Sequence, residues 1–162
     1  MKVSNVLKTA CMAILLCIAL AGCSGKKEPS KAELTVDTAK LAEQLNKETV
    51  TSDTLAEASS SIIPTIYMID AADIANASAY TSSGATACEV AVIELADASK
   101  AEDVRKLFES RVKNQSELYA SYNAGEVDKL DKAVIDTEGK YAVLVVCDDA
   151  AKAQEILKEY GF

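Results

Sequence analysis

The chain has no histidine and no tryptophan, only two prolines and two phenylalanines, and no glycine-rich run. Without histidine, a Ser–His–Asp or Cys–His arrangement is excluded, as is any zinc site with a histidine ligand. Without a glycine-rich loop there is no backbone cradle for phosphates. Cysteines are also too few for a cysteine-only metal site, since only Cys88 and Cys147 lie beyond the N-terminal region. Paired carboxylates are plentiful, but glycoside hydrolysis needs them across a cleft in a larger scaffold. No enzyme activity, metal or cofactor is therefore expected. Six tyrosines without a tryptophan do not make a carbohydrate platform. Tyr119, Tyr122 and Tyr141 are better read as packing residues.

What is present begins at the N-terminus. Lys2 and Lys8 precede an uncharged apolar run from Ala10 to Leu20, and Leu20-Ala21-Gly22-Cys23 follows. A basic start, a short apolar stretch and small residues before a cleavage point describe a signal peptide. The apolar run is shorter than the ~20 residues of a membrane span. The Leu-Ala-Gly-Cys ending is the pattern of a bacterial lipoprotein signal, cut before a cysteine whose thiol takes a diacylglycerol. A signal peptide over 1–22, a lipidated Cys23 with a polar tether over 23–34, and a single domain over 35–162 are the expected organisation. An ordinary secretory signal or a short anchor is the plainer alternative. On the lipoprotein reading the chain sits at the cell membrane, lipid-anchored on the extracytoplasmic face.

The charge balance supports attachment by lipid rather than by a basic surface. The chain has 17 Lys+Arg and 25 Asp+Glu, and removal of 1–22 takes two lysines, leaving 15 − 25 = −10. Such a chain is repelled by nucleic acid and by anionic headgroups. The expected partners are the membrane, through the lipid, and another envelope protein, with no nucleic acid.

Helical spacing of Ala39, Leu41, Ala42 and Leu45 predicts a helix over Val36–Asn46. Thr49–Ser61 is polar and carries no clear period. The apolar run Ile62–Ile69 contains Pro64, which opposes a central strand and suits the first turn of a helix. A hairpin is predicted from Ser78–Thr81 and Cys88–Leu95, then a long amphipathic helix over Ser99–Asn123 and a further helical turn over Glu126–Asp131. A second hairpin follows from Ala133–Asp136 and Tyr141–Cys147, with a closing helix over Asp149–Tyr160. Val90-Ala91-Val92-Ile93 matches Tyr141-Ala142-Val143-Leu144, so the plan reads as hairpin–helix twice, or as a chance match of short apolar runs. Each helix returns the chain to the end where its strand began, so the two inner strands run antiparallel. The fold class expected is α+β: an antiparallel sheet of about four strands, built from two hairpin–helix units with helices packed on one face, after an N-terminal helical segment.

Several segments resemble one family: Leu20-Ala21-Gly22-Cys23, Ser83-Gly84-Ala85-Thr86 before Val90–Leu95, Arg111-Val112-Lys113-Asn114-Gln115, Tyr122, Gly139-Lys140-Tyr141, and Asp148-Asp149. The chain resembles DUF 4358, a domain of unknown function found in lipoproteins of Gram-positive bacteria. The resemblance covers the mature domain, favours a helix over Ile62–Ile69 and implies no activity. Cys88 stands where members more often look acidic.

Three groups of residues invite a site. Val104, Phe108, Arg111, Gln115, Leu118 and Tyr122 are spaced 4, 3, 4, 3, 4, which places them on one helical stripe, with Arg111 and Gln115 interrupting an apolar seam. A guanidinium there needs a carboxylate such as Glu89 or Glu94. Arg111, Gln115 and Tyr122 thus form either a site for an anionic small molecule or peptide, or a structural ion pair, or Arg111 snorkels to water beside Leu107 and Val112. Asp97, Asp148 and Asp149 suit helix caps better than calcium ligands, whose loop spacing is absent. Cys88 and Cys147 are either a disulfide between paired strand ends or two buried thiols. Two functions fit these features: a non-catalytic binding or adaptor module, and an accessory ligand-binding lipoprotein that grips its ligand through Arg111.

Overall fold

A computed structural model of the chain describes residues 33–162. The N-terminal segment forms α1, Thr38–Thr49, capped by the Asp37 carboxylate on the Lys40 N–H. Then follow β1 (Ala56–Glu57), α2 (Ile63–Tyr67), β2 (Ile74–Thr81), β3 (Glu89–Leu95), α3 (Ala101–Tyr122), α4 (Val127–Leu130), β4 (Val134–Glu138), β5 (Tyr141–Val146) and α5 (Ala150–Tyr160). The sheet order is β1-β2-β3-β5-β4, with every neighbouring pair antiparallel. The class is α+β as expected, with two hairpins each followed by a helix and the inner strands β3 and β5 paired antiparallel. Pro64 sits in the first turn of α2, where its missing N–H costs nothing. Gly139 takes a φ of +57° as the first residue of the two-residue β4–β5 turn, the left-handed position that glycine fills without strain.

Five strands are present among the described residues rather than about four. The extra one, β1, lies in the polar stretch Thr49–Ser61 and pairs Ala56 with Thr81 and Glu57 with Tyr80. Two exposed residues carry no alternation, so nothing in their sequence announced a strand.

The helices divide between both faces of the sheet, where packing on one face was expected. The reason lies in the strands. Every residue of β5 and all but Glu94 of β3 are buried. Strands apolar on both sides need cover on both sides. Val90, Val92, Val143 and Val145 pack with α1 and α5. Ala91, Ile93, Leu95, Ala142 and Leu144 pack with α2 and α3 on the opposite face. The two matched strand segments present equivalent faces, since Ala91 and Ala142 point one way and Val92 and Val143 the other. The repeat breaks at the connections. Residues 96–100 lead into α3 through a short 3-10 turn, whereas only residues 147–149 separate β5 from α5.

Leu34, ahead of α1, packs against the α1–α5 layer. The Val36 N–H donates to the Tyr141 hydroxyl at 3.1 Å, fastening the entry of the domain to the start of β5. Phe108 is fully buried between α3 and the sheet, edge-on to Tyr67 at 5.4 Å between ring centres. Phe108→Ala should lower unfolding free energy by about 3–5 kcal/mol, the usual cost of emptying a fully buried aromatic site. A urea midpoint within error of the parent protein would show that this layer is loosely packed.

Candidate functional site

The inward face of α3 is rotated from the stripe read in the sequence. Ala101, Val104, Phe108 and Tyr119 are its buried residues. Leu118 and Tyr122 are 53% and 56% exposed. At about 100° per residue, Ala101, Phe108 and Tyr119 share one line, and the stripe through Arg111 and Leu118 lies on its flank. Tyr119, not Tyr122, therefore turns inward, and its hydroxyl donates to the Thr86 carbonyl. Tyr122 stacks on it at 4.9 Å, outside the Arg111 environment.

The flanking position explains how a charged side chain is accommodated. Arg111 keeps 25% of its side chain exposed, whereas Glu89 keeps 5%. The Arg111 Nε donates to both Glu89 oxygens at 2.9 Å, and a terminal nitrogen donates to the Ile66 carbonyl at 3.2 Å. The guanidinium also lies 5.2 Å from the Tyr67 ring centre, within cation–π range. Glu89 is one of the two carboxylates expected from the sequence. Glu94 is excluded by alternation: it shares the face of Val90 and Val92, turned away from α3, and pairs with Lys140 at 3.0 Å. Burial and the neighbouring Glu89 carboxylate push the Tyr67 hydroxyl well above the ordinary tyrosine range.

Between α2 and α3 lies a small cavity of about 110 Å³, lined by Ile66, Tyr67, Met68, Leu107, Arg111 and Gln115 among others. Gln115 is half-buried and joins Arg111 there. Met68, at the end of α2, is 78% exposed and held in the left-handed region at φ 58°. Ile62 at the other end of α2 is 47% exposed.

A second polar centre was missed. The Lys129 ammonium lies 3.0 Å from Glu126 and 3.0 Å from Asp148, and donates to the Ser52 hydroxyl at 2.8 Å. It also reaches the Cys88 sulfur at 3.7 Å. Asp148 accepts from the N–H groups of Thr51 and Ser52 at 2.7 and 2.8 Å, and Glu126 accepts from the Ala87 N–H at 2.9 Å. Nearby, Asp53 accepts from the Ser82 and Thr86 hydroxyls. Asp148 was expected to cap the closing helix; it faces sideways into this knot, and Asp149 supplies the cap to the Lys152 N–H. Asp97 does cap, accepting from the Ser99 N–H. The sequence signal was the Glu126–Lys129 pair at i, i+3, which marks a local ion pair but not the loops it ties together.

Burial opposes charge on both Lys129 and Asp148, and hydrogen bonds outweigh it. Lys129 is held above the ordinary lysine range by Asp148 and Glu126. Asp148 is held well below the carboxylate range by the Thr51 and Ser52 N–H groups and by Lys129. The arrangement is closed: its donors and acceptors are matched to one another. Among the described residues no group of three or more Cys, Asp or Glu is placed to hold a metal ion, and no helix is long and apolar enough to cross a membrane. Cys88 and Cys147 are buried free thiols at the adjacent ends of β3 and β5. Cys23 lies outside the described residues.

An antiparallel sheet between two helical layers, with a small cavity beside the Arg111–Glu89 ion pair, defines a small α+β domain. The family model for a domain of unknown function, DUF4358, matches residues 48–147, and the chain belongs to that family. No curated protein and no solved structure matches it.

Two predictions follow from the ion pairs. Arg111→Met strands the nearly buried Glu89 carboxylate and should lower stability by about 1–3 kcal/mol. Adding Glu89→Gln should recover part of that loss, and a double variant no better than the single one would mean the pairing is not what holds the seam. For Asp148, the folded-state pKa is depressed, so its contribution is complete above the unfolded value near ~4 and is lost as pH falls below it. Acid titration of the melting temperature should fall from about pH 4 downward, and Asp148→Asn should flatten that limb. An unchanged acid limb in the variant would remove Asp148 as its source.

Proposed function

We propose that this chain is a membrane-anchored extracytoplasmic lipoprotein whose folded domain is a non-catalytic binding module for another envelope protein. The Leu20-Ala21-Gly22-Cys23 ending supports the anchor. The observation that carries the binding role is the notch of about 110 Å³ beside the exposed Met68. Ligand cavities for small molecules run from about 300 to 1,000 Å³. The notch has room for one inserted side chain, and Met68 is a flexible apolar contact of the kind used at adaptable surfaces. An interface anchored by one residue inserted in a pocket follows the common pattern of protein–protein hot spots.

The alternative, an accessory lipoprotein gripping an anionic small molecule or peptide through Arg111, is weaker. Glu89 already neutralises the guanidinium and occupies its Nε. An incoming anion would meet an ion pair, not a free cation.

Both parts of this reading are testable in cells. Cys23→Ala should release the protein from membranes or leave an uncleaved precursor, followed by fractionation with a lipid label; a processed, tightly bound Cys23→Ala protein contradicts the anchor. Chemical crosslinking on intact cells should capture one envelope protein with the parent chain. Met68→Lys should reduce that capture at least about tenfold, as loss of a central contact does. Its melting temperature should not change, because Met68 is exposed. Undiminished capture would place the docking surface elsewhere.

A further inference from the structure

Cys88 and Cys147 flank the central seam of the sheet. The β3–β5 register pairs Val90 with Val145 and Glu89 with Val146, so one further step sets Cys88 opposite Cys147. Both thiols are buried in the same layer, with Val90, Val92, Val143 and Val145, on the face covered by α1 and α5. Residues directly opposite on antiparallel strands have Cα atoms about 4.5–5.5 Å apart. That spacing falls within the range a disulfide bridges, about 4.4–6.8 Å. Register, carried one step past the last ladder pair, and side alternation thus agree in setting the two thiols opposite each other. The two sulfurs differ in their surroundings. The Cys88 sulfur lies 3.7 Å from the hydroxyl of Ser52, an exposed residue, and 3.7 Å from the Lys129 ammonium. Cys147 lies behind it, where burial pushes its thiol up from the ordinary cysteine value.

We propose that Cys88 and Cys147 are a modification site: a cross-strand thiol pair that closes into a disulfide by exchange with an external disulfide. The Cys88 thiolate, its proton gone to solvent, attacks one sulfur of the external disulfide. That bond breaks, Cys88 forms a mixed disulfide, and the other half leaves as a thiolate. Cys147 gives its proton to the departing thiolate and, now a thiolate itself, attacks the Cys88 sulfur, which releases the second half as a thiolate that takes a proton from solvent. Two protein thiols are oxidised and one external disulfide is reduced to two thiols. The bond formed joins the first hairpin unit to the second and closes a long loop, which constrains the unfolded chain more than the folded one.

The test uses the full chain isolated from membranes. It is reduced, freed of reductant, incubated with oxidised glutathione, unfolded in N-ethylmaleimide, digested and mapped by mass. The expected product is one linked pair of peptides carrying Cys88 and Cys147, two hydrogens lighter than their sum. The melting temperature should rise on oxidation and fall back with dithiothreitol. Cys147→Ser should stop at a glutathione adduct on Cys88. Recovery of both cysteines as maleimide adducts overturns the proposal, as does a stable glutathione adduct on Cys88 in the parent chain. Absence of that adduct in Cys147→Ser overturns Cys88 as the attacking thiol.

Discussion

The pairing of β3 with β5 is the constraint on which the rest of the domain depends. Both strands are apolar on both sides, and they run antiparallel in an unbroken register from Glu89–Val146 to Glu94–Tyr141. Such a pair cannot exist in water with either face open, because each buried valine, leucine or isoleucine is worth about 1.5–3 kcal/mol against exposure. The helical layers follow from that demand. Helices α1 and α5 close one face, α2 and α3 the other. The outer strands β2 and β4 extend the sheet at its sides, and only β1 adds a further short edge.

Charged groups collect where this apolar block ends. Glu89 opens β3 on the α3 side and draws Arg111 onto the flank of its helix. Glu94, near the far end of the same strand, points to the other face and takes Lys140. At the end where β3 begins and β5 finishes, Lys129 gathers Glu126, Asp148 and the loop at Ser52. Each charge in these centres has a partner, since a charge taken from water is tolerated only with a partner and filled hydrogen bonds. These charges tie loops and helices to the ends of the strands. The α2–α3 cavity lies beside the paired Arg111, with the exposed Met68 at its lip.

The same end of the seam brings the two cysteines together. Their juxtaposition is a by-product of the register: alternation that places Val90 against Val145 also places Cys88 against Cys147, on the same side. Had the strands slipped by one residue, one thiol would face α3 and the other α5.

The amino-acid sequence by itself determined the parts with a strong local period. These are the apolar inner strands and two hairpins, marked by runs of β-branched residues, and the long helix and the caps at Asp97 and Asp149, whose hydrogen bonds close within a few residues. It also narrowed the partner of Arg111 to Glu89 or Glu94, since a guanidinium in an apolar seam requires a nearby carboxylate, and strand alternation in the fold selected Glu89. Tertiary structure alone decided which face each helix covers, because the connections after β3 and β5 differ in length while the strands they follow look alike. It decided that Tyr119 rather than Tyr122 turns inward, because the sheet, not the spacing, sets which line of the helix is buried. It also decided the knot around Lys129, whose partners at Ser52, Cys88 and Asp148 lie far apart in the chain and meet only where the strand ends converge.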